Sequence, residues 1–401
     1  MGAPVKFRIA NARQAQAYAG AITPAPGAPP VMLLEVVVPP GLALVCDVAT
    51  GLLTGTPQAH GEFSLEVVYR CVGEDAEARH IATAAIYVNP DPRQLWKDIP
   101  SDRDAPCWKP DQAAQLIAGR ERRVVAARTR GRSHAHVGAC CDDDFFVWSD
   151  PRDGWYVAVV ADGAGSAALS RLGSQLAVQA AGDHLRQALG ADAGARVLAA
   201  VAALQVDGSA EAGRGLHQAL VVTLGSAARQ AMQALEDAVA AGPGRIPAVR
   251  ELATTLLIGV ACKCGEQWLC AGYWVGDGVI GVHRDGCAPA LLGDADGGEY
   301  AGQTRFLEPA VLAAAALDER VRYVLCDDFT AFMLMTDGVS DARFESVAQL
   351  SEPGPWRALW EEIAQDVMPF DADAQADRRL LAWLGFWSQG NHDDRTIAIV
   401  C

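Results

Sequence analysis

The chain has 401 residues, long enough for two domains. Its 49 Asp and Glu against 33 Lys and Arg give a formal charge of −16, which disfavours nucleic acid or an anionic membrane as a partner over most of the surface. The N-terminus lacks the basic-then-apolar order of a secretory signal and no uninterrupted apolar run is long enough for a span, so a cytoplasmic location is expected, with the 11 cysteines as thiols.

The first ninety-odd residues read as strands. Apolar runs at 31–38, 63–69 and 81–88 are separated by PPG, ATG, GTP and HGE turn signals, the rhythm of a β-sandwich. Pro39 and Pro40 stop the first run at Val38, and Gly51 and Gly55 supply positions where positive φ costs little. His60 and Asp47 stand alone and read as turn or surface residues. Residues 39–69, PPGLALVCDVATGLLTGTPQAHGEFSLEVVY, resemble the immunoglobulin-like repeats of bacterial proteins, which implies an all-β binding or spacer domain over 1–92. A linker follows over 93–118; the stretch 89–112 is rich in Pro and Asp, which suits neither helix interiors nor central strands.

From 119 onward strands are interleaved with alanine-rich helices. Strands are expected at 124–129, 145–149, 155–161, 255–262, 268–275, 279–283, 332–336 and 396–400. Helices are expected at 166–189 with Ser166 as N-cap, at 213–241, and within 343–350, 356–366 and 374–387, with a turn at GPGRIP, 242–247. Runs of strands broken by helical hairpins indicate an α+β, layered arrangement rather than a doubly wound parallel sheet.

Within this second part, carboxylates recur where apolar strands end or begin: VVAD162-G, WVGD277-G, MTD337-GVSD341 and HDD394-RTIAIV. A single Asp-Gly is ordinarily a turn. Four instances with few Lys or Arg beside them indicate a shared cation, because an unpaired buried carboxylate is costly. An oxygen-only ligand set without His or Cys suits Mg²⁺ or Mn²⁺. Two such ions roughly 3.5–4 Å apart can share a carboxylate and activate a hydroxide for in-line attack on phosphorus, with Asp162 as the natural bridge and the Gly163 carbonyl open to a second ion.

The motifs ADGAGS (161–166), TTLLIGV (254–260), VGDG (275–278), MTDGVSD (335–341) and HDDRTIAIV (392–400) resemble, in order, those of the metal-dependent type 2C protein serine/threonine phosphatases. The resemblance covers about 119–401. It implies a central β-sandwich flanked by helices in αββα layers, with a dinuclear Mn²⁺ or Mg²⁺ centre that hydrolyses phosphoserine and phosphothreonine. By motif, Asp162 would bridge the ions with the Gly163 carbonyl as a further ligand, and Asp337 and Asp393 would complete one shell. A third ion would be held by Asp277, Asp337 and Asp341. GRSHAHVGACCDDD (131–144) resembles a segment of a bacterial subfamily, so Asp143 matches an acidic residue near the bound waters and Asp142 stands where Gln is usual. Many relatives carry an arginine that grips the phosphate where His134 stands, leaving His134, Arg132 or Arg128 for that role. GEYAGQTRFL (298–307) resembles a stretch in or beside the variable flap of that subfamily, departing from it at Gly302 and Gln303.

Other signals read as structure. CKCGEQWLC (262–270) lacks a fourth zinc ligand and reads as a hairpin turning at 263–266 with reduced cysteines. Cys140 and Cys141 read as structural, since adjacent thiols rarely bridge, His136 and His392 as loop or surface residues, and GPGR lacks the residues of a phosphate loop. The expected function is a phosphoprotein phosphatase, acting on the output of a serine/threonine kinase and docked to a protein partner by its N-terminal domain. The alternative is a non-catalytic phosphatase-like module that binds phosphoproteins.

Overall fold

The computed structural model describes residues 5–152, 154–241, 246–294, 296, 304–370 and 375–401. The GPGR turn and the 298–303 part of the GEYAGQTRFL segment, with Gly302 and Gln303, lie outside them. The chain divides into two units, Met1–Lys97 and Asp98–Cys401.

The N-terminal unit is all β. Strands Ala12–Arg13, His80–Asn89, Gly61–Cys71 and Val31–Val37 form one sheet in that order, and Tyr18–Ala21, Leu52–Gly55 and Leu44–Asp47 form a second. Along His80–Asn89 alternate residues Ala82, Ala84, Ile86 and Val88 are buried, as strand geometry requires when one face meets a core. Leu42, Leu53, Leu65 and Val67 complete that core. Gly51 and Gly55 take φ of 72° and 146°, and Asp47 accepts from the Ala49 N–H and the Thr50 hydroxyl at the turn.

In the second unit two antiparallel sheets stack. The six-stranded sheet runs Gln112–Ala118, Arg123–Thr129, Arg395–Val400, Ala331–Met335, Val279–His283, Ala290–Leu291; the five-stranded sheet runs Asp144–Ser149, Trp155–Ala161, Leu256–Cys264, Gln267–Val275, Val321–Cys326. Helices Ser170–Leu189, Asp192–Asp207 and Ala210–Ala241 pack on the five-stranded sheet, and Pro353–Asp366 and Ala376–Trp383 on the other. Strand Trp155–Ala161 explains why its sequence is apolar without alternation. Val157, Val159 and Ala161 face the helices while Tyr156, Ala158 and Val160 face the opposing sheet, so both faces are buried. Among the described residues no single helix is long and apolar enough to cross a membrane.

The structure departs from the sequence expectations in several places. The end of the expected linker, Gln112–Ala118, is an edge strand paired along its length with Arg123–Thr129; Ala114 and Leu116 pack on one side and Ile117 on the other, none of the seven fully buried, so its apolar signal is short and weak. Ser166 is not the cap of the first long helix, which starts at Ser170. The intervening residues turn instead, with the Leu169 N–H donating to the Glu251 carbonyl. The helix Asp192–Asp207 and the strand Val321–Cys326 have no counterpart in the sequence reading. The helix sought within 343–350 is Asp337–Arg343, followed by a 3-10 turn at Val347–Ser351. The CKCGEQWLC segment is a hairpin, with Cys264 opposite Gln267 and Gly265 at φ 66°.

Candidate metal centre and phosphate-side histidine

The carboxylates converge because strand ends from both sheets meet at one edge of the sandwich. Asp162 follows the buried strand Trp155–Ala161, and Asp144 pairs with Ala161, which sets Asp143 level with Asp162. Asp277 follows strand Gln267–Val275, Asp337 follows Ala331–Met335, and Asp393 precedes Arg395–Val400. Two further features fix the first of these ends. The Asp162 N–H donates to Thr255 Oγ1 at 2.9 Å, and Thr254 Oγ1 donates to the Asp162 carbonyl at 2.9 Å.

Gly163 forms an isolated antiparallel bridge with Thr254, closed by the Ala164 N–H on the Ala253 carbonyl and the Thr255 N–H on the Asp162 carbonyl. In such a pair the central residue's own N–H and C=O point away from the partner strand, so the Gly163 carbonyl is turned outward, as a ligand would be. The glycine itself is required by close approach: a Cβ there would lie 2.7 Å from the Asp142 carbonyl and 2.9 Å from Ser170.

Asp162, Asp277 and Asp337 each bring a carboxylate oxygen within 4.8 Å of the others. Asp143 is fully buried and interacts directly with Asp162, a contact that two ionised carboxylates cannot make favourably. Asp143 Oδ2 accepts from Thr336 Oγ1 at 2.9 Å and Thr396 Oγ1 at 2.7 Å, while its Oδ1 and the Oδ1 of Asp337 are buried without a hydrogen-bond partner. Burial, with Asp394 close by, raises the Asp143 carboxyl to about 7. Burial and the neighbouring Asp277 and Asp393 raise Asp337 to about 8, and burial with Asp143 pushes Asp162 well above the usual range. Carboxyls that must hold protons to coexist, with oxygens left over, are the signature of a cation site. The all-oxygen donor set fits a hard divalent ion. Asp277 accepts from the Thr304 hydroxyl, and Asp277 and Asp341 line one cavity of 300 Å³ with Val279, Ser340 and Phe344.

At the other rim stands His134, the third residue of the short helix Arg132–Val137. Its Nδ1 lies 2.9 Å from Asp394 Oδ2, and hydrogen bonding to that carboxylate, opposed by burial, raises the imidazole to about 9. The ring is therefore a cation at neutral pH. Asp394 also accepts the N–H groups of Gly131 and Asp142, both at 2.6 Å. Donor atoms of His134, Asp393 and Asp394 fall within 4.8 Å of one another.

The two arginines held open for the phosphate are committed elsewhere. Arg128 is buried, donating to Asp144 and to the Pro110 carbonyl. Arg132 donates to the Phe386 and Gly385 carbonyls and stacks over Trp387. His392 lies against Trp387, and its carbonyl accepts from Ser133.

Four site residues escape the sequence reading. Asp394 was quoted only as part of a carboxylate pair, Thr336 and Thr396 only as strand ends, and Lys109 only as part of the linker. Lys109 is 4% exposed, with Nζ donating to the Asp143 carbonyl at 2.6 Å and to Asp144 Oδ2 at 3.0 Å. Asp394 had a signal, a second aspartate beside the first. Lys109 had none, since its partners are more than thirty residues away.

A family model for protein phosphatase 2C matches residues 130–385. Among solved structures, a serine-threonine phosphatase 2C from Toxoplasma gondii is 14% identical, with a TM-score of 0.44 over 73% of this chain and 99% of its own. The serine/threonine phosphatase PstP/Ppp of Mycobacterium tuberculosis is 18% identical, with a TM-score of 0.38 over 70% and 97%. The catalytic domain of PstP in complex with two manganese ions is also 18% identical, with a TM-score of 0.36 over 71% and 98%. No curated protein matches the chain.

Proposed function

The chain belongs to the protein phosphatase 2C family and is a phosphoprotein phosphatase acting on phosphoserine and phosphothreonine; from that premise we propose how its own residues divide the work. Asp162 and the Gly163 carbonyl would hold two ions, Mn²⁺ or Mg²⁺, with Asp337 and Asp393 in one shell and Asp143 beside them. Asp277, Asp337 and Asp341 would hold a third. When bound, the ions neutralise phosphate charge and lower the pKa of a water molecule.

His134 supplies the positive group on the phosphate side. Asp394 holds Nδ1, which fixes the ring plane and leaves Nε2 to donate to a phosphate oxygen. Because Asp394 also holds the N–H groups of Gly131 and Asp142, the ring and the segment carrying Asp143 are positioned as one piece. Thr336 and Thr396 hold Asp143 by one oxygen and leave the other for the ion shell.

The observation that carries this reading is the set of buried, unpartnered carboxylate oxygens on Asp143 and Asp337 facing Asp162. Hydrolysis of a phosphothreonine peptide should require Mn²⁺ or Mg²⁺, stop with chelator, and disappear in Asp162→Asn and Asp337→Asn. Undiminished activity in both variants would overturn it.

The N-terminal unit, in this reading, is an immunoglobulin-like docking module that brings the enzyme to a phosphoprotein or its kinase. Its support is the PxGL and TGxxxGTP wording laid on a two-sheet β unit. Loss of partner capture on deleting 1–97, with peptide hydrolysis intact, is the expected result. Eleven cysteines without a disulfide support a reducing, cytoplasmic setting.

A further inference from the structure

We infer that Cys71, Glu74 and His80, at the end of a hairpin in the N-terminal unit, form a zinc site distinct in place and chemistry from the carboxylate centre. The three residues come from one short connection. Strand Gly61–Cys71 ends at the thiol, strand His80–Asn89 begins at the imidazole, and Tyr69 pairs with His80 across the ladder. Donor atoms from the three side chains lie within 4.8 Å of one another.

The connection is built to hold them there. The Cys71 N–H donates to Glu74 Oε2 at 2.9 Å and the Glu74 N–H returns to the Cys71 carbonyl at 3.2 Å, so the glutamate side chain is folded back over the thiol. Gly73, at φ 98°, permits that reversal. The Val72 N–H on the Pro30 carbonyl and Arg70 Nη1 on the Ala76 carbonyl, both 2.8 Å, tie the turn to the sheet. The imidazole rests against the Tyr69 ring at 5.3 Å between centroids, with Nε2 2.9 and 3.1 Å from the two Glu74 oxygens. Its orientation is thus fixed by the fold.

An exposed Glu–His pair alone contributes little stability and gives no reason for a thiol beside it. A sulfur, a nitrogen and a carboxylate oxygen together are the donor set of Zn²⁺, which takes four ligands in a tetrahedron. Three come from the protein. The His80 and Glu74 side chains are 43% and 37% exposed, so the fourth position opens to solvent, for water or a donor from a docked protein. Ligand softness sorts the ions, since the oxygen-only centre suits Mn²⁺ or Mg²⁺ and the thiolate-bearing hairpin suits Zn²⁺.

The test uses the full-length reduced chain titrated with Co²⁺ and then Zn²⁺. The expected result is a near-ultraviolet thiolate-to-cobalt band that Zn²⁺ displaces, lost in Cys71→Ser and weakened at least about 10-fold in His80→Gln. Mn²⁺-dependent peptide hydrolysis should be unchanged in both variants, and the 72–79 connection should resist proteolysis in each as a check on folding. A wild-type chain without the thiolate band, or a band that Cys71→Ser retains, would overturn the inference.

Discussion

His134 Nδ1 lies 2.9 Å from Asp394 Oδ2, and the same carboxylate takes the main-chain N–H groups of Gly131 and Asp142. One aspartate therefore both charges the histidine and ties its helix to the acidic segment. His134→Ala should lower kcat/KM for a phosphothreonine peptide by about 10²-fold, the scale of losing one preorganised donor to an anion. The Gly131 and Asp142 N–H groups bind opposite oxygens of Asp394, so Asp394→Asn keeps an acceptor for only one of them, and it also removes the charge that holds the imidazolium. A loss of about 10-fold is expected there, with Mn²⁺ affinity moving less than kcat. Equal, small effects on both parameters in His134→Ala would remove the histidine from the phosphate site.

The ion-free centre should be a source of instability that grows with pH. Asp143 and Asp337 titrate at about 7 and about 8 in the folded chain, far above the ordinary aspartate value. The folded state then binds more protons than the unfolded state across this range, so stability falls as pH rises from about 4 to about 8. In chelator, Asp337→Asn should melt higher than wild type at about pH 8 and about equal to it near pH 4, by differential scanning fluorimetry. Mn²⁺ should reverse the order at about pH 8, raising the wild-type melting temperature by several degrees and the variant's by far less.

Lys109 is the only cation that the structure places directly against the Asp143 main chain among the described contacts, and it is almost wholly buried. Lys109→Ala would leave Asp144 sharing Arg128 alone and the Asp143 carbonyl without that donor. A destabilisation of about 3 kcal/mol follows for breaking one side of a buried ion pair. Chemical denaturation measures it, and a weaker Mn²⁺ titration should accompany it because Asp143 loses its support.

Two glycines should tolerate no side chain, for steric reasons. A Cβ on Gly131 would sit 2.2 Å from the Asp393 main-chain carbon, and one on Gly163 would sit 2.7 Å from the Asp142 carbonyl. In both cases the obstacle is backbone that carries a proposed ligand or its neighbour. Gly131→Ala and Gly163→Ala should each abolish metal-dependent hydrolysis, while Gly165→Ala, where a Cβ meets nothing within 4 Å, should leave it intact.

The sequence by itself determined the strand-end aspartates and a layered α+β arrangement, while the order of the layers entered through the family resemblance. Apolar runs such as 155–161 must be buried on both faces, and a charged residue at the end of such a run needs a cation. Asp162, Asp277 and Asp337 were legible for that reason, Asp393 through the family motif, and the β-rich character of the first ninety residues through its own periodicity. Edge strand Gln112–Ala118 and helix Asp192–Asp207 were not, since a strand partly buried on both faces and an alanine-rich helix carry little contrast between faces. Only the tertiary structure decided which of His134, Arg128 and Arg132 keeps a ring or guanidinium face available for the proposed phosphate role. The choice depends on acceptors that arrive from elsewhere in the chain: Asp144 and the Pro110 carbonyl take Arg128, the Phe386 and Gly385 carbonyls take Arg132, and Asp394 takes His134. A side chain's own type sets its charge. Its availability is set by which partners folding brings within hydrogen-bond reach.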